Sequence, residues 1–577
     1  MPASPPSDPG PTGTPGPATP GPTAPGRTTA RKRLARGLAG AALLIAVLTV
    51  LARLAGFGRQ VVFNAAVGQT AVGDAYTTAN YVPNIVFDIV AGGALASLVV
   101  PLLAGPIARG RADETRRTAS ALLTWTVLIL VPVTVVGMAC ARPLMELLLR
   151  DKADVPGMLD LASGLLLAFM PQILLYGLAV VSAGILQAHR RFTAAAVAPL
   201  VSSLVVAAAY VAFAAGYDGD GQDPAGVPRG SELVLGLGTT AGVLALALCT
   251  LVPLRGTGVR LRPTLRFPDG VARRARLLAL AGVATLVAQQ LATVTVLMLV
   301  NAHGPEGGAV TYQNAWMLYS LPYAILAVPI ATSAFPRLSA AAHSGDHFSF
   351  AATAAATTRA VLLVSFAGAA VLAAAAYPVG TFFARLGDGD TDPVVLARAL
   401  VAFAPGLAGY GLVAHLGRAL YARGHGRASA GAVVLGWAAV IAADLALVPN
   451  VPADWTVAAL GLGNTVGMTV AGLLLVAATA RTAGRDALHG VPRAACAGLL
   501  AAAAGGAAGA ALAAAVGTGG TAWTLIMGTV AAIVGVAVFA AAAYASAGQD
   551  IRALLRRRAG RADASGTDVR DTKENRG

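Results

Sequence analysis

Runs of apolar residues, each long enough to form a helix of several turns, recur from near residue 40 to near residue 546 with only short polar breaks between them. A helix needs roughly 20 apolar residues to cross the hydrocarbon of a bilayer. In lipid, every backbone amide must be satisfied within the segment or its neighbours, so such runs become helices. Charged residues make up 12% of the chain and mean hydropathy is +0.69, against about 25% charged in an ordinary soluble domain. The expected fold class is an all-α polytopic membrane protein with about 14 transmembrane helices. The span limits are 38–65, 76–104, 118–143, 159–187, 193–216 and 232–253, then 278–301, 309–335, 360–384, 394–421, 430–448 and 456–480, and finally 495–516 and 522–546.

The net charge of +15 comes mostly from arginine, lysine being confined to Lys32, Lys152 and Lys573. That scarcity reads as codon usage, with no chemistry drawn from it. The basic residues sit in short loops between apolar runs, so a nucleic-acid partner is excluded, and they set orientation instead. With the N-terminus inside, the inside loops carry Arg109, Arg111, Arg116, Arg117, Arg190, Arg191 and the arginines of 254–277. The outside loops carry few basic residues and hold Asp218, Asp220, Asp223, Asp388, Asp390 and Asp392. This predicts a multi-pass membrane protein with both termini cytoplasmic. The leader 1–30 is rich in Pro, Gly, Ser and Thr and is expected to be disordered. It is too long, and the following run too extended, for a cleaved signal peptide.

The halves echo one another. Phe169-Met170-Pro171 and Tyr176-Gly177-Leu178 return as Phe403-Ala404-Pro405 and Tyr410-Gly411-Leu412, 234 residues later. Ala96-Ser97 before Pro101 returns as Ala331-Thr332 before Pro336, 235 residues later. An even number of spans separates the copies, so they share an orientation, and parallel repeats place a substrate path between them. The expected organisation is a disordered cytoplasmic tail 1–37, an N-lobe 38–253 and a basic cytoplasmic loop 254–277. A C-lobe 278–480, two further spans within 481–546 and a basic cytoplasmic tail 547–577 complete it.

Polar groups inside spans are costly and mark function. At about 100° per residue, Arg53, Gln60 and Asn64 share one face of the first span, while Arg59 lies about 120° away. Arg59 is close enough to the span's end to snorkel. Asn80, Asn84 and Asp88 form a stripe on the second span, continued by Gly92; the asparagines flank Pro83 and could serve backbone that it frees. Two striped helices suggest a wet cavity, with Asp88 expected to pair with an arginine across it. The candidate substrate-binding set is Arg53, Arg59, Gln60, Asn64, Asn80, Asn84 and Asp88. A cavity arginine suits a diphosphate, because the guanidinium binds phosphate oxygens bidentately and stays charged. His415 and Asp444 are candidate proton or ion groups. Arg398 and Arg418 are read as snorkelling, and Gln289-Gln290 as interhelical hydrogen bonding. Cys140, Cys249 and Cys496 show no metal spacing. No Walker A or HExxH motif occurs, and His343 and His347 lie in an inside loop. No catalytic residue, cofactor or metal is expected; the chain reads as a secondary-type transporter.

At these residues the chain resembles the MurJ/MviN family of lipid II flippases, within the multidrug/oligosaccharidyl-lipid/polysaccharide exporter superfamily. The carriers are Arg53-x5-Arg59 with Gly56-Phe57; Asp74-Ala75-Tyr76, Ala79-Asn80, Pro83-Asn84, Gly92-Gly93-Ala94 and Val100-Pro101; and Leu321-Pro322, Ile330-Ala331-Thr332 and Phe335-Pro336-Arg337-Leu338-Ser339. It departs from the family's usual pattern at Gln60, at Phe87 and Asp88, and at Trp316 and Met317. The resemblance implies two six-helix lobes, two extra C-terminal helices, a central cavity and alternating access. It implies export of the undecaprenyl-diphosphate-linked peptidoglycan precursor lipid II, with Arg53 and Arg59 on its head group. Partners would be lipid II or a related polyprenyl-diphosphate glycan, membrane lipids and cell-wall synthesis proteins. The rival readings are an exporter of another polyprenyl-linked glycan or amphipathic compound, and a degenerate non-transporting scaffold.

Overall fold

In a computed structural model, residues 27–89, 96–257, 262–266, 271–387, 392–517 and 519–567 are described, without the side chains of 27–43, 45, 46, 96–98, 271–282 and 546–567. The described residues are helical with short connections and no strand. The first half contains α1 (Arg27–Ala66), α2 (Ala71–Phe87), α3 (Ala96–Ala108), α4 (Ala112–Ala139), α5 (Ala141–Leu149), α6 (Met158–Phe169), α7 (Gln172–Ala188), α8 (Thr193–Gly216) and α9 (Arg229–Leu251). The second contains α10 (Val271–His303), α11 (Gly308–Pro322), α12 (Val328–His343), α13 (His347–Ala384), α14 (Pro393–Phe403), α15 (Gly406–Ala422), α16 (Gly426–Leu447) and α17 (Thr456–Ala483). Two more follow, α18 (Val491–Val516) and α19 (Thr521–Thr567).

Among the described residues, eleven helices are long and apolar enough to cross a membrane, or twelve if α14 and α15, bent by 44°, form one span. The first two expected spans fall on α1 and on α2 with α3, and the second crosses residues outside the described set. The remaining 90–95, with Gly92, lie outside it altogether. The surface fits a hydrocarbon solvent: Leu128, Ile129, Val135 and Val136 of α4, Leu473 of α17 and Leu500 of α18 all stand exposed. In water, so many exposed aliphatic side chains would mark aggregation.

Helix ends differ from the sequence limits. α1 is helical from Arg27, so residues 27–37 join the helix rather than a tail, and α19 likewise continues to Thr567. Arg, Lys, Ala and Leu are good helix formers, and extending an existing helix costs little beside nucleating one. α10 starts at Val271 instead of near 278 for the same reason. Residues 1–26 and 568–577 lie outside the described set.

The duplicated sequence is a duplicated structure. The sixth and seventh helices break at Met170-Pro171, and α14 and α15 break at Ala404-Pro405. Just beyond, Tyr176 packs on Phe87 with ring centroids 4.4 Å apart, and its counterpart Tyr410 stacks on Tyr323 at 3.8 Å. Asp88 and Ile89 form a π-helical turn, and a second π turn covers Tyr323–Ala327 at the equivalent place. Such turns free a backbone carbonyl and recur at functional sites.

Two separate apolar cores follow the halves. One is centred on Phe63, Tyr76, Phe169, Tyr210 and Phe213. The other is centred on Tyr319, Phe366, Phe383, Phe403 and Leu460, and it reaches Ala501 of α18 and Phe539 of α19. Helices α18 and α19 pack against the second half through α13, and small residues set that approach. A Cβ on Gly505 would come within 2.4 Å of the Gly535 carbonyl.

Candidate functional site

The two halves meet through α1 and α2 on one side and α10 and α11 on the other. Their hydrogen bonds concentrate at the end where α1 stops. There Asp74, in the first turn of α2, is 0% exposed. Its Oδ1 accepts the backbone N–H groups of Ala309 (2.9 Å) and Val310 (3.3 Å), and its Oδ2 accepts that of Gly307 at 3.0 Å. These donors are the unpaired amides at the start of α11, where the helix dipole also favours an anion. Asp74 thus caps a helix of the opposite half. Lys152 completes the join, its Nζ lying 2.6 Å from Asp74 Oδ2 and donating to the Pro305 carbonyl at 2.9 Å. Gly307 is required here: its φ is +70°, and a Cβ would stand 2.3 Å from the Gln69 carbonyl.

A turn deeper, side-chain amides take over. Asn64 and Asn314 exchange hydrogen bonds of 3.1 and 2.8 Å. Gln60 donates to Asn314 at 2.9 Å and to Gln313 at 3.4 Å. Across the pseudo-twofold axis, Asn301 of α10 donates to Thr78 of α2 at 3.1 Å and to the Leu148 carbonyl at 3.0 Å. Asn64 lies near the end of α1 and Asn301 near the end of α10, so each half sends one asparagine across to the other. The Thr311 hydroxyl adds a bond to Gln69 Oε1 at 2.6 Å.

Below this latch lies a cavity of about 90 Å³ between the halves. Its lining includes Tyr81, Asn84 and Asp88 of the first half and Gln289, Gln290, Tyr312, Trp316, Trp437 and Asn464 of the second. Gln290 Nε2 donates to Asp88 Oδ2 at 3.2 Å, the interhelical bond expected of the glutamine pair. The expected pairing of Asp88 with an arginine is not made. The α2 stripe faces α10, where glutamine stands, and no arginine is among the groups acting on that carboxylate.

The other sequence candidates separate. Asn84 Nδ2 donates to the backbone carbonyl and the side chain of Asn80, both at 2.8 Å, and Asn84 Oδ1 accepts from the Tyr176 hydroxyl at 3.4 Å. Pro83 frees the carbonyl four residues back, that of Ala79, so the bond to the Asn80 carbonyl is not the backbone service expected there. Arg59 turns inward among Tyr76, Tyr176 and Tyr210, on which its charge acts. Arg53 is exposed and makes no hydrogen bond or ion pair among the described residues; by helical spacing it shares the face of Gln60 and Asn64 two turns on. Arg398 is no simple snorkeler: it pairs with Asp454 at 2.6 Å and lies 4.3 Å over Trp455. Arg418 bonds back to the Ala414 carbonyl. His415 and Asp444 are both 0% exposed and lie within the second half; neither lines the cavity, though the Asp444 carboxylate stands close enough to act on Tyr312, which does.

Asp74, Lys152, Asn301, Gln313 and Asn314 were not singled out as site residues from sequence. Lys152 carried one signal: it is the sole lysine between the terminal segments of an arginine-rich chain.

A family model described as lipid II flippase MurJ matches residues 63–542. A probable lipid II flippase MurJ of Rhizobium meliloti (strain 1021) is 28% identical over 373 residues, covering 63% of this chain and 67% of that protein. The lipid II flippase MurJ of Burkholderia cenocepacia is 28% identical over 389 residues, 66% of this chain and 73% of that protein. Among solved structures, a lipid II flippase MurJ in an inward closed conformation matches with a TM-score of 0.69 at 18% identity, covering 88% of this chain and 100% of that one. An inward-facing MATE-family multidrug transporter of the MOP superfamily matches with a TM-score of 0.60 at 14% identity, over 76% and 98%.

Proposed function

The chain belongs to the family of the lipid II flippase MurJ, and from that premise we propose that it carries lipid II from the inner to the outer leaflet by alternating access. The observation that carries this reading is the inter-half latch. Buried hydrogen bonds from Asp74 to Asn314 seal one end, and a polar cavity lies just beneath the seal. A carrier needs such a bistable join, because its two states differ in which end is sealed.

Sidedness follows from the loop charges. The latch sits at the end opposite the arginine-rich loops, and that asymmetry supports reading it as outside, with both termini in the cytoplasm. The described state is therefore sealed to the exterior. Arg53, exposed and unpaired on the latch-bearing face of α1, receives the diphosphate of the entering head group. A planar guanidinium meets phosphate oxygens bidentately and keeps its charge at any relevant pH. Arg59 reinforces the field from among its tyrosines. Flipping then needs the latch to part while the opposite end closes. The chain carries no nucleotide-binding motif, so the drive is a gradient or the membrane potential, which acts on the carried charge.

The test uses cells whose own flippase is shut off. This chain should restore lipid II to the outer leaflet, read by the accessibility of the lipid to an impermeant probe. Retention of lipid II in the inner leaflet, with the protein present in the membrane, would refute the reading.

A further inference from the structure

Asp88 stands at the π turn of α2, exposed to the inter-half cavity, at about the depth of Arg53. Counting 1.5 Å per helical residue from the sealed end, Asp88 lies about 26 Å down α2 and Arg53 about 20 Å down α1. Its one hydrogen-bond donor among the described residues is Gln290, a neutral amide. No ion pair among the described residues includes it. A carboxylate kept at membrane depth without a counter-charge is costly unless something visiting the site supplies one.

The walls say what kind of cation. Tyr81, Tyr312, Trp316 and Trp437 line the same cavity as the carboxylate, together with Gln289 and Gln290. Aromatic faces attract organic ammonium groups. A hard metal ion would want several oxygen ligands, and no cluster of three or more His, Cys, Asp or Glu that could hold one occurs among the described residues. The cavity volume of about 90 Å³ equals that of about three liquid waters, enough for the end of a side chain.

We propose that Asp88 and Gln290 receive a primary ammonium group carried by the peptide part of the lipid-linked cargo, while Arg53 holds its diphosphate. This rests on the flippase reading above and names the cargo that reading prefers: a head group with an anionic diphosphate and a cationic amine, which meet opposite charges on α1 and α2. Gln290 orients the carboxylate and ties that recognition to the second half, because it donates from α10.

The experiment measures binding of purified full-length protein to two lipid II molecules, one with its peptide amine free and one N-acetylated. Wild type should bind the free amine about tenfold more tightly, the worth of one charge-assisted hydrogen bond. Asp88→Asn should lose that margin by weakening the free-amine cargo alone, and Asp88→Glu should recover part of it. Equal binding of the two cargoes by wild type overturns this proposal and leaves the flippase reading standing. So does Asp88→Asn weakening both cargoes alike, which would place Asp88 in the latch or the fold. Failure of wild type to bind either cargo overturns the flippase reading and this proposal with it.

Discussion

Asp74→Asn should unlatch the sealed end. The substitution preserves shape and one oxygen, so the bonds from Ala309 and Val310 to Oδ1 survive. The amide nitrogen replaces Oδ2 and faces two donors, the Gly307 N–H at 3.0 Å and Lys152 Nζ at 2.6 Å. Breaking a buried ion pair costs about 3–5 kcal/mol. Lys152 keeps 14% exposure and regains some water, so about 3 kcal/mol is a fair figure for the sealed state. At 1.4 kcal/mol per factor of ten, the open-to-sealed ratio rises on the order of 100-fold. The assay places one thiol behind the latch, Val310→Cys, with Cys140, Cys249 and Cys496 replaced. Val310 is 0% exposed, so an impermeant maleimide reaches it only when the halves part. Labelling should be roughly 100-fold faster in the Asp74→Asn background if opening limits it. An unchanged rate in protein with an unchanged melting temperature would refute the latch.

Arg53→Ala should abolish appearance of lipid II in the outer leaflet while leaving membrane insertion intact, and Arg53→Lys should recover only a fraction, because an ammonium cannot bind a diphosphate bidentately. Asn64→Ala and Asn301→Ala remove inter-half bonds donated from opposite halves, so each should speed Val310→Cys labelling by about tenfold, and the two effects should multiply in the double variant; a large effect from one alone would show that the two halves do not share the load. Gly409→Ala should lower the melting temperature in detergent, since its Cβ would stand 2.1 Å from the Met468 carbonyl and force α15 from α17 at about 1–3 kcal/mol. An unchanged melt would mean that α15 and α17 separate without cost.

Much of the architecture was legible because its signals are local or periodic. The Phe-x-Pro and Tyr-Gly-Leu echoes, read as a repeat, fall on equivalent helix pairs, with a helix break at Pro171 and Pro405 and a ring contact of Tyr176 and Tyr410 just past each. The stripe on α2 does face the other half, as Asp88 and Gln290 show. The latch was not legible for a physical reason. Asp74 binds backbone N–H groups at Gly307, Ala309 and Val310, and a backbone donor leaves no mark on sequence. Its ion-pair partner Lys152 is 78 residues away, and the rarity of lysine was put down to codon usage. Gln60 and Asn64 were read for cargo, yet in this state they bond across to α11. Amides serve either purpose, and only the register of the two halves decides which.

The position of Asp74 has a consequence for how such a duplication can drift. Near a twofold axis every side chain confronts its own duplicate, and Asp74 contacts the backbone of Ala309, its counterpart 235 residues on. Two carboxylates there would repel each other across a dry gap, and two alanines would leave the α11 amides uncapped. The seam holds because one copy carries the acid and the other does not, so the halves are unlike where they touch most closely.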